Sequence, residues 1–472
     1  MKNVTKLLTV ILSLLLVIVA GCKKKDISND SGGIFANSEP LCFTAEEDSA
    51  TISMKRIGYV ELNPIPNIEY SYDKVVWRTF TAESTVITLK NTGDKVYFRG
   101  NNPHGLNVNL EENNSFIRFE TNDKKTAVSG NLMSLIDPTC RLTKVPDYCF
   151  CDLFNGAKIT TPPELPATTL GKRCYGGLFS CCTELKTAPE LPATKLAKEC
   201  YVSMFLYCTS LKVAPKLPAT TLAADCYADM FDSSGILEAP ELPATTLADG
   251  CYACMFYYCK NITTAPELPA TTLAPACYSS MFHNCDNLTA VPELPATTLA
   301  NYCYTFMFEE CDGITLTPRL PATTLADYCY SEMFSGCHNL TTVLELPATT
   351  LANNCYEKMF NDCINLRNAP EILPATTLAE HCYERMFYHC IKLESAPELP
   401  ATTLVNRCYL SMFLYCSSLK SIKVHFTEWG DDYDTAFWVA EVSSNGIFYC
   451  PNSLPQEYGV ERIPYWWNVV TF

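Results

Sequence analysis

Hydrophobic and polar positions along most of this chain recur with a period of about 26 residues. The hexamer LPATTL, or LPATKL in one copy, occurs ten times, and a segment close to CYxxMFxxC lies between successive copies. The hexamers begin at Leu165, Leu191, Leu217, Leu242, Leu268, Leu294, Leu320, Leu346, Leu373 and Leu399. A fixed period of this length is typical of stacked repeats, because one short unit buries its apolar face only against its neighbours.

Within one repeat, the spacing of apolar residues predicts a short amphipathic helix followed by a short strand. In residues 325–334, at 100° per residue, Leu325 and Met333 each fall 40° from Cys329, whereas Asp327 lies outside the apolar arc. Residues 340–343 predict a strand that stacks on its neighbours and ends at the proline of the next hexamer. The predicted fold class is an α/β leucine-rich-repeat-type solenoid of about 11 repeats of 26 residues, over residues 137–423.

The segment before the repeats, residues 40–136, shows a period of two instead. Short runs of β-branched and aromatic residues alternate with turn residues, which predicts an N-terminal antiparallel β-sandwich-like domain. The clearest runs are residues 68–72, 85–89, 95–98 and 115–119. Trp77 is interpreted as a core anchor in preference to a sugar-stacking platform.

At the other end the repeat breaks after Ser421. Residues 424–472 contain four of the five tryptophans, and stacked repeats require an end with a different outer face. This segment is predicted to be a C-terminal cap, and a separate aromatic ligand site is the alternative.

The first 21 residues have the pattern of an export signal. Two lysines precede an apolar run of about 14 residues, which is short for a membrane span. The run ends in Val-Ala-Gly-Cys22, which resembles the lipobox of bacterial lipoproteins and implies cleavage before Cys22 and acylation of this residue. Residues 22–39 are polar and predict a flexible tether. The expected location is the outer membrane or the cell surface, with the chain lipid-anchored.

Charge and cysteine content narrow the class of protein further. The net charge of −16 argues against sequence-independent binding of nucleic acid, which requires a basic surface.

Of the 27 cysteines, most belong to two periodic columns eight residues apart. The first column is Cys174, Cys200, Cys226, Cys251, Cys277, Cys303, Cys329, Cys355, Cys382 and Cys408. Buried free thiols are favoured over a ladder of disulfides, and Cys251 with Cys254 has the spacing of a redox motif without a surrounding βαβ unit.

Two further columns are candidates for binding. An acidic residue precedes most hexamers, and it forms a candidate binding ridge whose simplest alternative is a solvated edge. The ridge residues are Glu190, Glu241, Glu267, Glu293, Glu345 and Glu398, with Glu164 and Glu371 at equivalent positions and Lys216 and Arg319 as basic interruptions. A tyrosine follows each cysteine of the first column, and core packing is favoured for it over sugar stacking.

The segment Met281-Phe-His-Asn-Cys285-Asp-Asn-Leu288 resembles the BspA-like leucine-rich repeats of bacterial surface proteins. This resemblance covers about residues 137–423 and implies a non-catalytic surface protein that binds an extracellular protein or glycan. The second cysteine column and the LPATTL hexamer depart from the commoner family pattern. A structural spacer that presents the N-terminal domain is the alternative function, and an extracytoplasmic enzyme is the third. No cofactor, metal site or catalytic residue is predicted, and the oligomeric state is left open.

Overall fold

The computed structural model describes residues 38–58, 66–107, 115–431 and 433–472. The predicted signal sequence, the lipid-attachment residue Cys22 and nearly all of the tether lie outside the described residues. Within them, the N-terminal part folds into eight strands. Their bounds are β1 Leu41–Ala45, β2 Ala50–Ile57, β3 Ile68–Ser71, β4 Arg78–Thr79, β5 Val86–Leu89, β6 Lys95–Gly100, β7 Phe116–Thr121 and β8 Thr126–Ser129.

These strands form two antiparallel sheets, in the orders β4-β3-β6-β1-β8 and β5-β2-β7. Side chains alternate between buried and accessible along β2 and β6, as the period of two predicts. Phe43, Phe98 and Phe119 meet in the core at centroid distances of 5.1–5.6 Å. The antiparallel β prediction is confirmed. The core role of Trp77 is wrong, because this side chain is only half-buried.

The repeats contain no α-helix, so the predicted helix over residues 325–334 is wrong. The one helix among the described residues is a 3₁₀ turn, Leu132–Leu135. In an α-helix every N–H group would bond to the carbonyl four residues earlier. Here the N–H groups of Cys329, Ser331 and Met333 bond three residues back, at 3.2–3.3 Å. The N–H groups of Tyr330, Glu332 and Phe334 bond to the next repeat, at 2.9–3.0 Å.

A chain of tight turns therefore replaces the helix. Every fourth residue takes a positive φ, as at Tyr328 (56°), Glu332 (54°) and Gly336 (70°). A positive φ at the third residue is the requirement of a type II turn. The apolar residues still recur at positions i and i+4 because each pair of turns advances the chain by four residues. For this reason the turn series has the same hydrophobic pattern as a helix.

The spacing between successive repeats explains why no helix forms. The phenylalanine rings of neighbouring repeats, from Phe154 to Phe413, stack at 5.3–5.9 Å and within 18° of parallel. The tyrosine rings from Tyr175 to Tyr409 stack at 5.7–5.9 Å. An α-helix with its side chains is about 10 Å across and does not fit this spacing.

The opposite side of each repeat is joined to the next by single parallel bridges. Thr342 bridges Leu316 in the preceding repeat and Asn368 in the following one. The predicted strand over residues 340–343 is thus reduced to one paired residue. In the 25-residue repeat the buried apolar position is Ile236, which is 0% exposed, whereas Leu237 is 50% exposed. Leu237 lies eleven residues after Cys226, as the buried Leu288 lies after Cys277, so the one-residue deletion shifts the register.

Both ends of the stack are covered. At the N-terminal end Phe119 of β7 stacks on Phe154 at 5.7 Å and 13°, which joins the sandwich core to the phenylalanine column. At the C-terminal end Trp438, 0% exposed, contacts both Tyr409 and Phe413. At this end three parallel strands continue the bridges of the repeats. They are β9 Ser421–Lys423, β10 Ile447–Cys450 and β11 Asn468–Thr471, in the order β11-β10-β9.

Candidate functional site

The predicted acidic ridge lies on the surface of the stacked repeats. The side chains of Glu190, Glu241, Glu267, Glu293 and Glu345 are exposed, and none of them has an ion-pair partner among the described residues. Each is followed by the leucine of the hexamer, which is 2–4% exposed. Neighbouring residues of an extended segment point to opposite sides, so the buried leucine directs each glutamate outwards.

Glu398, the last residue of this ridge, has a different environment. Its carboxylate lies 2.9 Å from Lys423 Nζ and 2.6 Å from His425 Nε2, and its side chain is half-buried. The hydrogen bond from Lys423, with a second from His425, lowers the pKa of Glu398. This glutamate therefore stabilises the join to the C-terminal segment, and it is a weaker candidate for binding a partner than the other five.

Two shallow grooves flank the basic interruption at Arg319. One, of about 330 Å³, is lined by Arg319, Leu320 and Pro321 of one repeat and by Leu344, Glu345 and Pro347 of the next. The other, of about 290 Å³, runs from Thr289 and Glu293 to Leu316 and Arg319. Arg319 thus lies between a glutamate on each side, with apolar and threonine surface beside it. This arrangement offers both signs of charge to a ligand.

The tyrosine column is not available to a ligand. Its ten side chains are 1–2% exposed. Burial raises the pKa of these tyrosines, as at Tyr304 and Tyr383, so the phenols remain protonated. The core interpretation of this column agrees with the structure, and sugar stacking on it is ruled out by the burial.

The two cysteine columns are also buried, and their cysteines are free thiols. Nine thiols of the second column donate a hydrogen bond to the carbonyl of a phenylalanine in the preceding repeat, with Sγ–O distances of 2.9–3.2 Å. The donors are Cys182, Cys208, Cys259, Cys285, Cys311, Cys337, Cys363, Cys390 and Cys416. These cysteines act as small apolar residues with a weak donor.

The pair Cys251 and Cys254 lacks the properties of a redox centre. Burial raises the pKa of both thiols to about 12. Reactive cysteines in such motifs have a lowered pKa, because the thiolate is the nucleophile. The two residues take part in the turn series and show no sign of thiol activation.

Sequence reasoning missed a second surface, formed by variable residues of the turns. Tyr257 stacks on His283 at 4.5 Å and 6°, and His283 Nδ1 lies 2.9 Å from a carboxylate oxygen of Glu309. Tyr302 and Tyr328 stack at 4.8 Å, and Tyr302 is 45% exposed. The helix prediction assigned these residues to a helix surface and so did not place them beside one another across repeats.

Over the described ranges, no group of three or more His, Cys, Asp or Glu side chains is placed to hold a metal ion. In the same part of the chain, no helix is long and apolar enough to cross a membrane.

The stacked turns, the buried columns and the outward-facing glutamates give this region the organisation of leucine-rich repeats in which tight turns replace the helix. Residues 252–370 and 327–432 match the family described as BspA type Leucine rich repeat region, in six copies. This part of the chain consists of BspA-like leucine-rich repeats, as the sequence resemblance indicates. Proteins with such repeats are typically surface-associated, mediate protein interactions and are non-catalytic. No curated protein and no solved structure matches the chain.

Proposed function

We propose that this protein is a lipoprotein of the cell surface or outer membrane, anchored through Cys22, whose repeats bind an extracellular protein or glycan without catalysis. The repeats form a solenoid of about eleven coils in this proposal, with the boundaries predicted above. The observation that carries it is the ridge. Five glutamates point outward with no ion-pair partner in the described part of the chain, and Arg319 lies among them with a groove on each side.

The regular spacing of the ridge supports a role in recognition. The bridges and ring stacks that hold the repeats together fix the backbone spacing of its glutamates and Arg319, so a ligand that spans several repeats has only their side chains to order. Exposed charges contribute more to the specificity and the rate of association than to affinity. The groove walls, including the 46% exposed Leu316, supply the apolar contact that affinity requires.

The proposal is tested with purified protein on an array of glycans and extracellular-matrix proteins. Each ligand that binds saturably is then measured with the variants Arg319→Glu and Glu293→Lys/Glu345→Lys. We expect a loss of affinity of about tenfold or more for both, because they reverse charge beside the grooves. Lys216→Glu is the matched control, since Lys216 occupies the same column outside the two grooves, and its affinity should be unchanged.

An array without any saturable ligand would count against binding as the function. Equal losses for Arg319→Glu and Lys216→Glu would count against the grooves as the site and would indicate non-specific attraction to the charged surface.

A structural spacer is the second candidate, and the continuous ring stack from Phe119 through the phenylalanine column to Trp438 favours it. A spacer depends on length, whereas a binding protein depends on its surface. Deletion of residues 277–302, one 26-residue repeat, should impair a spacer in a cell-attachment assay, while Arg319→Glu should have no effect on it. Attachment that survives the deletion but is lost in Arg319→Glu would favour binding.

A further inference from the structure

The loop between β3 and β4, residues 72–77, presents an apolar surface that neither the ridge nor the repeats explain. Val75 is 78% exposed, Val76 is 55% exposed and Tyr72 is 47% exposed. We call these three side chains and the loop that carries them the β3–β4 tip. Single exposed apolar residues are common, but here three of the six residues of one loop are large, apolar and exposed.

The β3–β4 tip is held firmly in place. One carboxylate oxygen of Asp73 accepts hydrogen bonds from the N–H groups of Val75 and Val76, at 2.8 and 2.9 Å. The same oxygen accepts a bond from the Ser71 hydroxyl at 2.9 Å. Trp77 donates its indole N–H to the carbonyl of Lys74, and the Arg99 guanidinium covers its ring at 4.1 Å. The apolar side chains are therefore presented by a rigid turn.

The chain arrives at the sandwich directly beside this tip. Lys74 Nζ lies 2.6 Å from a carboxylate oxygen of Glu39, and Glu39 is the second residue of the described part of the chain. Sixteen residues, 23–38, separate it from Cys22. Sixteen residues reach at most about 53–58 Å when fully extended. An anchor at Cys22 would therefore keep the point where the chain enters the sandwich, beside the tip, within about this distance of the lipid surface.

The charges around the tip do not oppose contact with lipid headgroups. Lys74 pairs with Glu39, and Arg99 pairs with Glu69 at 2.8 Å. The remaining charges are Asp73, whose carboxylate accepts bonds from its own turn, and the exposed Arg78 at the base of the tip. These two have opposite signs. Among the described residues, the charges of the tip therefore sum to zero, although the whole chain carries −16.

We infer that the β3–β4 tip seats in the interface of the membrane that anchors the chain, with Val75 and Val76 among the outermost acyl and headgroup atoms. This inference rests on the lipid anchor of the proposed function. Two valines and a tyrosine give weak binding on their own, but the anchor makes their contact intramolecular. The tip then fixes the orientation of the sandwich on the membrane.

The test uses the full acylated protein, reconstituted in vesicles of phosphatidylethanolamine and phosphatidylglycerol. The variant Val76→Trp places an indole at the tip. The matched control, Val213→Trp, places an indole on the repeats, at a position that is 73% exposed. The added fluorescence over that of the unsubstituted protein is measured with and without lipids brominated near the headgroup end of their chains. We expect the bromines to quench the V76W signal at least about twofold and to leave V213W unchanged.

Adding Val75→Asp to V76W should restore the fluorescence, since a carboxylate beside the indole disfavours insertion. Circular dichroism checks that this double variant is folded. Mass spectrometry of the same sample determines whether Cys22 is acylated. An acylated protein whose V76W signal is not quenched, or is quenched no more than V213W, overturns the inference and leaves the anchor intact. An unacylated Cys22 overturns both.

Discussion

The sandwich and the repeats bury their cores in different ways, although both consist of extended and turning chain with almost no helix. In the sandwich, eight strands of different sequence contribute different side chains, and Phe43 lies opposite Val96 and Val128 on neighbouring strands. In the repeats, each side chain of the buried columns packs on a copy of itself, phenylalanine on phenylalanine and tyrosine on tyrosine. Several different neighbours therefore determine which side chain fits at a buried position of the sandwich. In a buried column of the repeats, the equivalent side chains of the preceding and following repeats determine it.

This difference has a consequence for conformational strain. Among the described residues of the sandwich, positive φ values are confined to a few turn positions such as Ser49 and Lys74. In the repeats they recur at every fourth residue of the turn series, and most of them are not glycine. Each such residue costs conformational energy, and the stacked columns offset this cost many times over. The predictions below test this contrast, from the largest expected effect to the smallest.

The cysteines of the two buried columns should react much more slowly with an alkylating reagent than the exposed Cys181. Burial raises the pKa of Cys200, Cys259 and Cys416 to about 12, whereas Cys181 is exposed. At about pH 8 a thiol with so high a pKa is almost entirely protonated, so alkylation should be about a thousandfold slower or more than at Cys181. Timed alkylation of the folded protein, followed by peptide mass spectrometry, measures this ratio. Comparable rates at Cys181 and Cys259 would mean that the columns open readily.

Phe119→Ala should uncouple the two regions. Phe119 contacts Phe43, Phe98 and Phe154, so truncation leaves a cavity at the join and should cost about 3–5 kcal/mol. Hydrogen exchange should then show residues 41–54 losing protection before residues 277–334. Phe437→Ala is the control, because Phe437 is 53% exposed and its loss should change stability by less than about 0.5 kcal/mol. Simultaneous loss of protection in both regions would contradict the separate behaviour expected of them.

Ser203→Val tests the strain in the turn series. Ser203 has φ of 54°, a region that β-branched residues rarely adopt, so we expect a loss of about 1–2 kcal/mol in urea unfolding. Ser279→Val is the matched control, because Ser279 has no positive φ and Val202 occupies the equivalent position of its own repeat. If both variants lose the same stability, side-chain volume and not backbone conformation would be the cause.

Glu398→Gln should have the smallest effect. The lowered pKa of Glu398 means that its contribution to stability is present above the unfolded pKa of about 4.5 and is lost as the pH falls through the lower folded value. We expect a difference of less than about 1 kcal/mol at neutral pH, which disappears in acid. Thermal unfolding across this pH range measures it. Glu293→Gln, which removes an unpaired member of the ridge, should not reproduce the pH dependence.

The sequence determined much of this architecture but not its local geometry. The period of 26 residues indicated stacked repeats, the resemblance of residues 281–288 indicated their BspA type, and the period of two located β3, β5, β6 and β7. The helix prediction failed because a turn series that advances four residues per pair of turns places Cys329 and Met333 on one side, as a helix also does. The spacing of the rings, which excludes a helix, is a property of the packed stack.

One sequence signal could have separated the two structures. The non-glycine residues with positive φ in the turn series include no valine, isoleucine or threonine, as the run of Glu199, Ser203 and Tyr207 illustrates. A helix would not exclude these residues at every fourth position. The exposure of the ridge was predictable for a similar reason, since an invariant buried leucine follows each glutamate. The grooves beside Arg319 were not predictable, because they depend on how two neighbouring repeats fit together.

The stacking of like on like also makes the length of the molecule easy to change. Removing residues 277–302 would bring the ring of Tyr252 onto that of Tyr304, and the new contact would be chemically the same as the two that were lost. Recombination between nearly identical coding segments could therefore lengthen or shorten the protein in whole steps without passing through an unfolded intermediate form. Because each repeat packs on a near-identical copy, the length of the molecule can change in evolution without any change in the residues that face outward.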